Sequence, residues 1–267
     1  MRSRLASERA KDVLRRALHR VGVDVVPYDG RRFVARRRIE VARATRVNVV
    51  LDVGAGVGQF AGWLRGEGYR GRIISFEPVA EAFAELQRRA ATDPAWTCVN
   101  VALAERDGDA VVNIAGNLWS SSLLPMTREH KAAAPASAYV GQERVRLARL
   151  DSLDIIRPED RTYLKIDVQG AESAVLDGAE RVLDRIVAAE LELSLAELYE
   201  GQDLLWALLQ RMRALGFGLV WLGEALMRNP VTDEILALDG IFERLPISLP
   251  EVSGSGGACA DDLGSEL

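Results

Sequence analysis

Residues 47–78 read VNVVLDVGAGVGQFAGWLRGEGYRGRIISFEP. Val47 to Val53 is β-branched and almost continuously apolar, the pattern of a strand buried in a parallel sheet. It carries one acid, Asp52, and runs into Gly54, Gly56 and Gly58. In this G-x-G-x-G turn the missing side chains allow tight geometry and let backbone N–H groups approach a ligand. A helix from about Gln59 to Arg65 stops at Gly66-Glu67-Gly68. A second strand, Arg72 to Phe76, delivers Glu77, an acid placed to accept hydrogen bonds from both hydroxyls of a ribose. Strand, glycine turn, helix, strand and acid in that order predict a site for a ribose-bearing ligand, with the Gly54-Ala55-Gly56 backbone and Glu77-Pro78 as its wall.

The spacing narrows the ligand. A dinucleotide fingerprint is G-x-G-x-x-G, with a helix N-terminus facing a pyrophosphate. Here the third glycine comes one residue earlier and Asp52 precedes the first by two. A carboxylate so placed would repel a pyrophosphate and suit a cation such as the ammonium of S-adenosylmethionine. The reading therefore leans from an NAD(P)-dependent oxidoreductase towards a methyltransferase; a Tyr-Lys pair for hydride chemistry is not recognisable either.

The chain has 267 residues, 48% hydrophobic and 27% charged, which fits one elaborated soluble α/β domain. Its net charge of −5 gives no general case for nucleic-acid binding, although residues 1–46 hold fourteen Lys and Arg against five Asp and Glu. An RNA methyltransferase therefore stays as an alternative. Two cysteines, Cys98 and Cys259, without metal-ligand neighbours make no disulfide framework. With no apolar run long enough to span a bilayer and no signal-like core, a cytoplasmic protein is expected, and any membrane contact would be peripheral. A homo-oligomer is left open.

Residues 3–21 place Leu5, Val13, Leu14, Ala17, Leu18 and Val21 on one helical face with basic groups elsewhere, including His19. That helix is read as packing on the domain; contact with a membrane surface is the alternative. A short strand and turn follow over 23–33, then a basic helix over 36–46, so 1–46 is read as a basic helical extension. The main domain is read over 47–250. A helix over Val79 to Ala91 turns Phe83, Leu86 and Ala90 inward, and Trp96 to Leu103 is a third strand whose Asn100, Ala102 and Leu103 are candidates to touch a purine. Residues 109–114 form an added strand. The stretch 115–143 is too long for a routine connection and mixes Trp119, Leu123, Leu124 and Met126 with polar groups, so it reads as a lid. Strands at 144–150, 162–168 and 186–195, helices at 172–183 and 203–215, and a closing antiparallel pair through Asn229-Pro230 complete a doubly wound, mainly parallel sheet. The Gly-, Ser- and acid-rich residues 251–267 read as a disordered tail. Ligands on such sheets lie beyond the carboxyl ends of the strands, which here carry Asp52, Glu77, Asp167 and Glu192.

The segments DVGAGVGQF, ISFEP, SSSLLPM, RLDSL, LKIDVQGAE with VLDGA, ELSLAELYEGQ and DGIFERL together resemble the FkbM family of S-adenosylmethionine-dependent methyltransferases over about residues 47–245. The resemblance implies a class I methyltransferase, Rossmann-like fold and O-methylation of a hydroxyl on a sugar, glycolipid or related secondary metabolite. It implies that Gly54, Gly56 and Gln59 line the cofactor, Glu77 binds its ribose, and Asp167 lies between cofactor and acceptor. Many members carry Glu where this chain has Gln169, and a carboxamide is no base at neutral pH; no base is assigned there.

Three side chains are candidates to accept the hydroxyl proton. Asp167 is first, as a carboxylate at the rim of the sheet. One of Glu190 and Glu192 is expected at the site, and the resemblance favours Glu192. His130, in the lid, is third, since a near-neutral imidazole suits a base. Lys165 is read as pairing with a carboxylate or steering the acceptor. Magnesium could be held by Asp167 and Glu192, but no spacing demands it, and a cofactor-binding relative without activity is a further alternative.

Overall fold

The computed structural model describes residues 30–246. The helix expected over 3–21 with His19, most of the short strand before residue 33, the tail and Cys259 lie outside them. The first described element is a helix, α1 (Gly30–Ala44). It begins earlier than expected, so residues 30–33, read as the end of a strand and turn, are helical instead.

The central sheet contains β1 (Val49–Val53), β2 (Arg72–Phe76), β3 (Trp96–Val99), β7 (Thr162–Ile166), β8 (Ile186–Ser194), β9 (Phe217–Arg228) and β10 (Ile235–Arg244), in the order β3-β2-β1-β7-β8-β10-β9. Every pairing from β3 to β8 is parallel; β10 runs antiparallel to both β8 and β9. This is the expected doubly wound sheet with its closing antiparallel pair. Strand order reverses beside β1, so the carboxyl ends of β1, β2 and β7 open onto one crevice.

Helices cover both faces. Val50, Ile73, Tyr163 and Ala188 pack against Ile39 and Val41 of α1, Phe60 and Leu64 of α2 (Gln59–Gly66), and Leu86 of α3 (Ala80–Ala90). The alternate residues Leu51, Val53, Leu164, Ile166 and Leu191 pack on the other side, together with Val175 and Leu176 of α5 (Glu172–Asp177) and Leu208 and Met212 of α6 (Leu205–Ala214). Period-2 side-chain alternation thus feeds two cores from each strand. In α3 the buried residues Ala82, Leu86 and Ala90 recur every four positions, with Glu81 in the first turn and Arg88 and Arg89 in the last complementing the helix dipole. Phe83 is only half-buried.

Three expected elements are divided. The strand over 96–103 breaks at Asn100: β3 stays in the main sheet, while β4 (Ala102–Leu103) joins β5 (Gly108–Ala115) and β6 (Tyr139–Ala148) in a second, three-stranded sheet. The helix over 172–183 stops at Asp177, and a 3-10 turn continues from Glu180 to Arg185. The helix end abuts backbone at Gly178, where a Cβ would lie 2.0 Å from the Ala104 carbonyl oxygen, so only glycine fits there. The stretch read as a lid yields its last residues to β6. The remainder holds α4 (Arg128–Ala133), whose Thr127 Oγ1 accepts the His130 N–H. It is pinned down by Asn113 pairing with Ser122 and Met126 with Tyr199, over a core of Met126, Leu198, Tyr199, Leu236 and Ala237.

Candidate active site

A cavity of about 420 Å³ opens at the carboxyl end of the sheet, lined by residues at or after the ends of β1, β2, β3 and β7, by Glu192 of β8 and Asp239 of β10, and by the lid. It begins at the glycine turn. Gly54 (φ +74) is left-handed, and a Cβ there would fall 1.8 Å from the Asp167 carbonyl oxygen, so the β1 and β7 ends approach as only glycine permits. The Gly54 and Ala55 N–H groups both donate to the Phe76 carbonyl, which locks the turn to the end of β2. At Gly56 (φ +54) a Cβ would meet only Gln59 Oε1, at 3.9 Å. Gly54, Ala55, Gly56, Gln59, Glu77, Pro78, Ala102 and Leu103 all line the cavity.

Glu77 fits the acid of a ribose site. It is 6% exposed and faces the cavity, and each carboxylate oxygen takes one backbone bond: Gly56 N–H donates to Oε2 at 2.8 Å and Val79 N–H to Oε1 at 2.9 Å. A carboxylate oxygen accepts more than one hydrogen bond, so both remain able to receive a hydroxyl. Burial raises its pKa to about 7 against the two backbone bonds that lower it.

Asp52 and Asn100 are brought elsewhere. Asp52 is fully buried below the cavity; Ser75 Oγ donates to its Oδ2 at 3.1 Å, and the Lys165 ammonium lies 3.9 Å from its Oδ1. Strand register explains this, since Ser75, Asp52, Lys165 and Glu190 stand side by side across β2, β1, β7 and β8 as one buried polar row. The Asn100 amide donates to the carbonyls of Glu77 (2.8 Å) and Pro78 (3.0 Å), so it braces the Glu77 turn from behind.

Above the polar row lies a second, at the cavity wall: Asp167, Glu192 and Asp239. Glu190 and Glu192 are two residues apart and leave β8 on the same face, so they differ in depth rather than side. Glu190 is buried under α1, receiving Arg38 Nε at 2.8 Å and the Tyr163 hydroxyl at 2.7 Å, while Glu192 reaches the cavity. Both Asp167 oxygens are engaged, Oδ2 by Lys165 Nζ at 3.0 Å and Oδ1 by Gln169 Nε2 at 2.8 Å. Burial opposes its charge, yet Lys165 and the Gln169 bond prevail and hold Asp167 below the usual carboxylate range. Burial and the neighbouring Asp167, Glu172 and Asp239 push Glu192 well above that range. Gln169 Nε2 donates to Glu192 Oε2 at 2.7 Å, and Oε1 has no donor among the described residues. Lys165 is itself buried, but the carboxylates of Asp167, Asp52 and Glu190 more than offset that and raise its pKa.

His130 is not brought to the cavity. It is fully buried edge-on to Tyr199, with ring centroids 5.0 Å apart, and neither ring nitrogen has a hydrogen-bond partner among the described residues. Burial lowers its pKa, so the ring is neutral at pH 7. Several lining residues were not singled out from the sequence as site residues. Arg38 of the basic segment and Asp239 of β10 meet at 3.4 Å on one wall, and Trp63 and Trp119 stand at the mouth. An acid inside the apolar strand ILALDGIF was the available sign for Asp239. For Arg38 there was none, since only its depth sets it apart from the other arginines of α1.

Residues 52–219 match the model of the Methyltransferase FkbM domain. No curated protein matches the chain. Solved structures with a similar fold include an rRNA methylase from Streptococcus thermophilus (11% identity, TM-score 0.45, covering 83% of this chain and 100% of that one). Another is a TehB-like SAM-dependent methyltransferase from Corynebacterium glutamicum (14% identity, TM-score 0.40, 90% and 98%). With the family match spanning the glycine turn, Glu77 and the Asp167–Glu192 wall, the chain belongs to the FkbM methyltransferase family, enzymes that use S-adenosylmethionine.

Proposed function

We propose that the enzyme methylates a hydroxyl of a sugar, glycolipid or related polyhydroxylated metabolite. The observation that carries this reading is the acidic wall of Asp167, Glu192 and Asp239 in the cavity that also holds the glycine turn and Glu77. Asp167, held ionised by Lys165 and Gln169, is an acceptor-only group and suits a neutral hydroxyl donor, whereas a polyphosphate chain would be repelled. Trp119, 62% exposed at the mouth, adds an aromatic face against which an apolar ring face can lie.

S-adenosylmethionine supplies, when bound, an electrophilic methyl group on a sulfonium. Gly54, Ala55, Gly56 and Gln59 border its place, and Glu77 receives the ribose hydroxyls. The remaining work falls on the opposite wall. Holding an acceptor hydroxyl in line for displacement is worth roughly 7–11 kcal/mol in favourable cases. The new C–O bond would form as the methyl–sulfur bond breaks, the electron pair leaving on the sulfur as a thioether, and the hydroxyl proton would pass to Glu192 at Oε1, the oxygen without a donor among the described residues. Asp167, with both oxygens engaged and its pKa depressed, orients the hydroxyl and takes second place as base. A cation beside Glu192 favours its ionised form, bringing a carboxyl with a raised pKa towards the range a general base needs.

The test is transfer of labelled methyl from S-adenosylmethionine into free sugars, extracted glycolipids and RNA. Label in the carbohydrate fractions is expected; label in RNA alone would overturn the reading. Glu192→Gln should cut transfer by about 10²–10⁴-fold with cofactor affinity kept.

A further inference from the structure

Gln169 sits where the lid meets the carboxylate wall and is held from four sides. Its Nε2 uses both hydrogens, donating to Asp167 Oδ1 at 2.8 Å and Glu192 Oε2 at 2.7 Å. Its Oε1 accepts the Tyr199 hydroxyl at 2.6 Å, and its main-chain carbonyl accepts the Ser122 hydroxyl of the lid, also at 2.6 Å. The partners dictate which way the amide points, because two carboxylates require the nitrogen and the remaining hydroxyl can give its proton to the amide oxygen. The backbone is committed as well. Gln169 is left-handed at φ +56, and Gly170 follows at φ +99, where a Cβ would lie 2.9 Å from the Tyr199 Cβ. The turn is pressed directly onto Tyr199, whose hydroxyl also approaches the Ser120 carbonyl of the lid at 3.3 Å.

We propose that Gln169 is the positioning residue of the acceptor half-site: its carboxamide clamps Asp167 and Glu192 side by side and is itself held by Tyr199, while its main-chain carbonyl ties the same residue to Ser122 of the lid. The lid's placement over an acceptor and the placement of the proton-accepting carboxyl are then set at one residue, the first by its main chain and the second by its side chain. This rests on the reading of Glu192 as proton acceptor. The neutral amide adds no charge to a place where Glu192 already faces Asp167 beyond β7, Glu172 of α5 and Asp239 of β10, with Lys165 of β7 paired to Asp167. The Glu that many members carry here would add a further negative charge, while an aliphatic side chain would remove the donor that both carboxylates share.

The experiment is carboxyl ¹³C NMR titration of the full chain, with Asp167 and Glu192 assigned through Asp167→Asn and Glu192→Gln. S-adenosylhomocysteine affinity is measured alongside to show that the cofactor pocket is intact. Gln169→Met keeps the bulk and removes the donor, so both titrations should move to higher pH, since the lost bonds favoured the charged forms. Gln169→Glu should add a third titrating carboxyl and move them further. Tyr199→Phe, which frees the amide to turn, should move the same two by less. Titrations unchanged in Gln169→Met with affinity retained would overturn the clamp; if Gln169→Met loses affinity, unchanged titrations in Tyr199→Phe overturn it instead. The Glu192 reading fails separately, through normal methyl transfer by Glu192→Gln.

Discussion

Glu77 shows how one buried carboxyl can make cofactor binding depend on pH. Its pKa is raised to about 7 by burial, so below pH 7 much of the free protein carries the neutral acid. A ribose whose hydroxyls donate to Glu77 prefers the carboxylate, so binding releases a proton and tightens as pH rises through 7. Affinity should weaken by up to about tenfold per pH unit below 7 and level off above it. Calorimetry with S-adenosylhomocysteine in buffers of different ionisation enthalpy reads the proton directly. Glu77→Ala should abolish the release and cost about 1.5–3 kcal/mol at pH 8, the value of a hydrogen bond to a charged group. Proton uptake on binding, or pH-independent affinity, would mean that the ribose is not held there.

Among the elements, the segment 115–143 lends the cavity one wall, through Leu118 to Leu123. Its tip is a tight turn in which Leu118 is left-handed (φ +62), the Asn117 Oδ1 accepts the Ser120 N–H at 3.1 Å and the Ser121 N–H donates to the Leu118 carbonyl. That conformation is costly for leucine and is held by the bonds around it, with Trp119 presented at the cavity mouth. Trp119→Ala should raise the acceptor KM several-fold, the loss of a stacking contact worth about 1 kcal/mol, while S-adenosylhomocysteine affinity stays as in the parent. An unchanged KM would leave Trp119 without an acceptor role. Elements also mark what could be read in advance. β2 was legible to the residue because Arg72–Phe76 lies between a glycine and the Glu77-Pro78 corner. The break of the third strand at Asn100 was not, since it depends on an amide bracing the Glu77 and Pro78 carbonyls from a different part of the chain. The glycine-turn side of the cavity was likewise local, with Gly54, Ala55, Gly56 and Gln59 lying within six residues of sequence. The acceptor wall was harder to read, because Gln169, Glu192 and Asp239 meet only through pairing of β7 and β8 and of β8 and β10.

At the scale of the molecule, a helix from the basic N-terminal segment closes the site. α1 lies on the sheet face that carries the polar row, and Arg38, 5% exposed, reaches Glu190 and Asp239 while its guanidinium stands 4.9 Å above the Phe60 ring. Burial works against that charge, and Glu190 and Asp239 more than restore it. The pair therefore links α1, α2, β8 and β10 and also forms a wall of the cavity, so fold stability and site shape share one interaction. Arg38→Met should cost about 3–5 kcal/mol, because it strands Glu190 at 1% exposure with only the Tyr163 hydroxyl for a partner. Arg38→Met with Glu190→Met should recover most of that loss, since an apolar pair of similar volume avoids burying an unpaired charge. About 1 kcal/mol remains for the orphaned Tyr163 O–H. Urea unfolding of the parent and both variants measures both effects. If Arg38→Met alone is as stable as the parent, the buried pair is not what fastens α1 to the sheet, and apolar packing of Ile39 and Val41 carries the attachment.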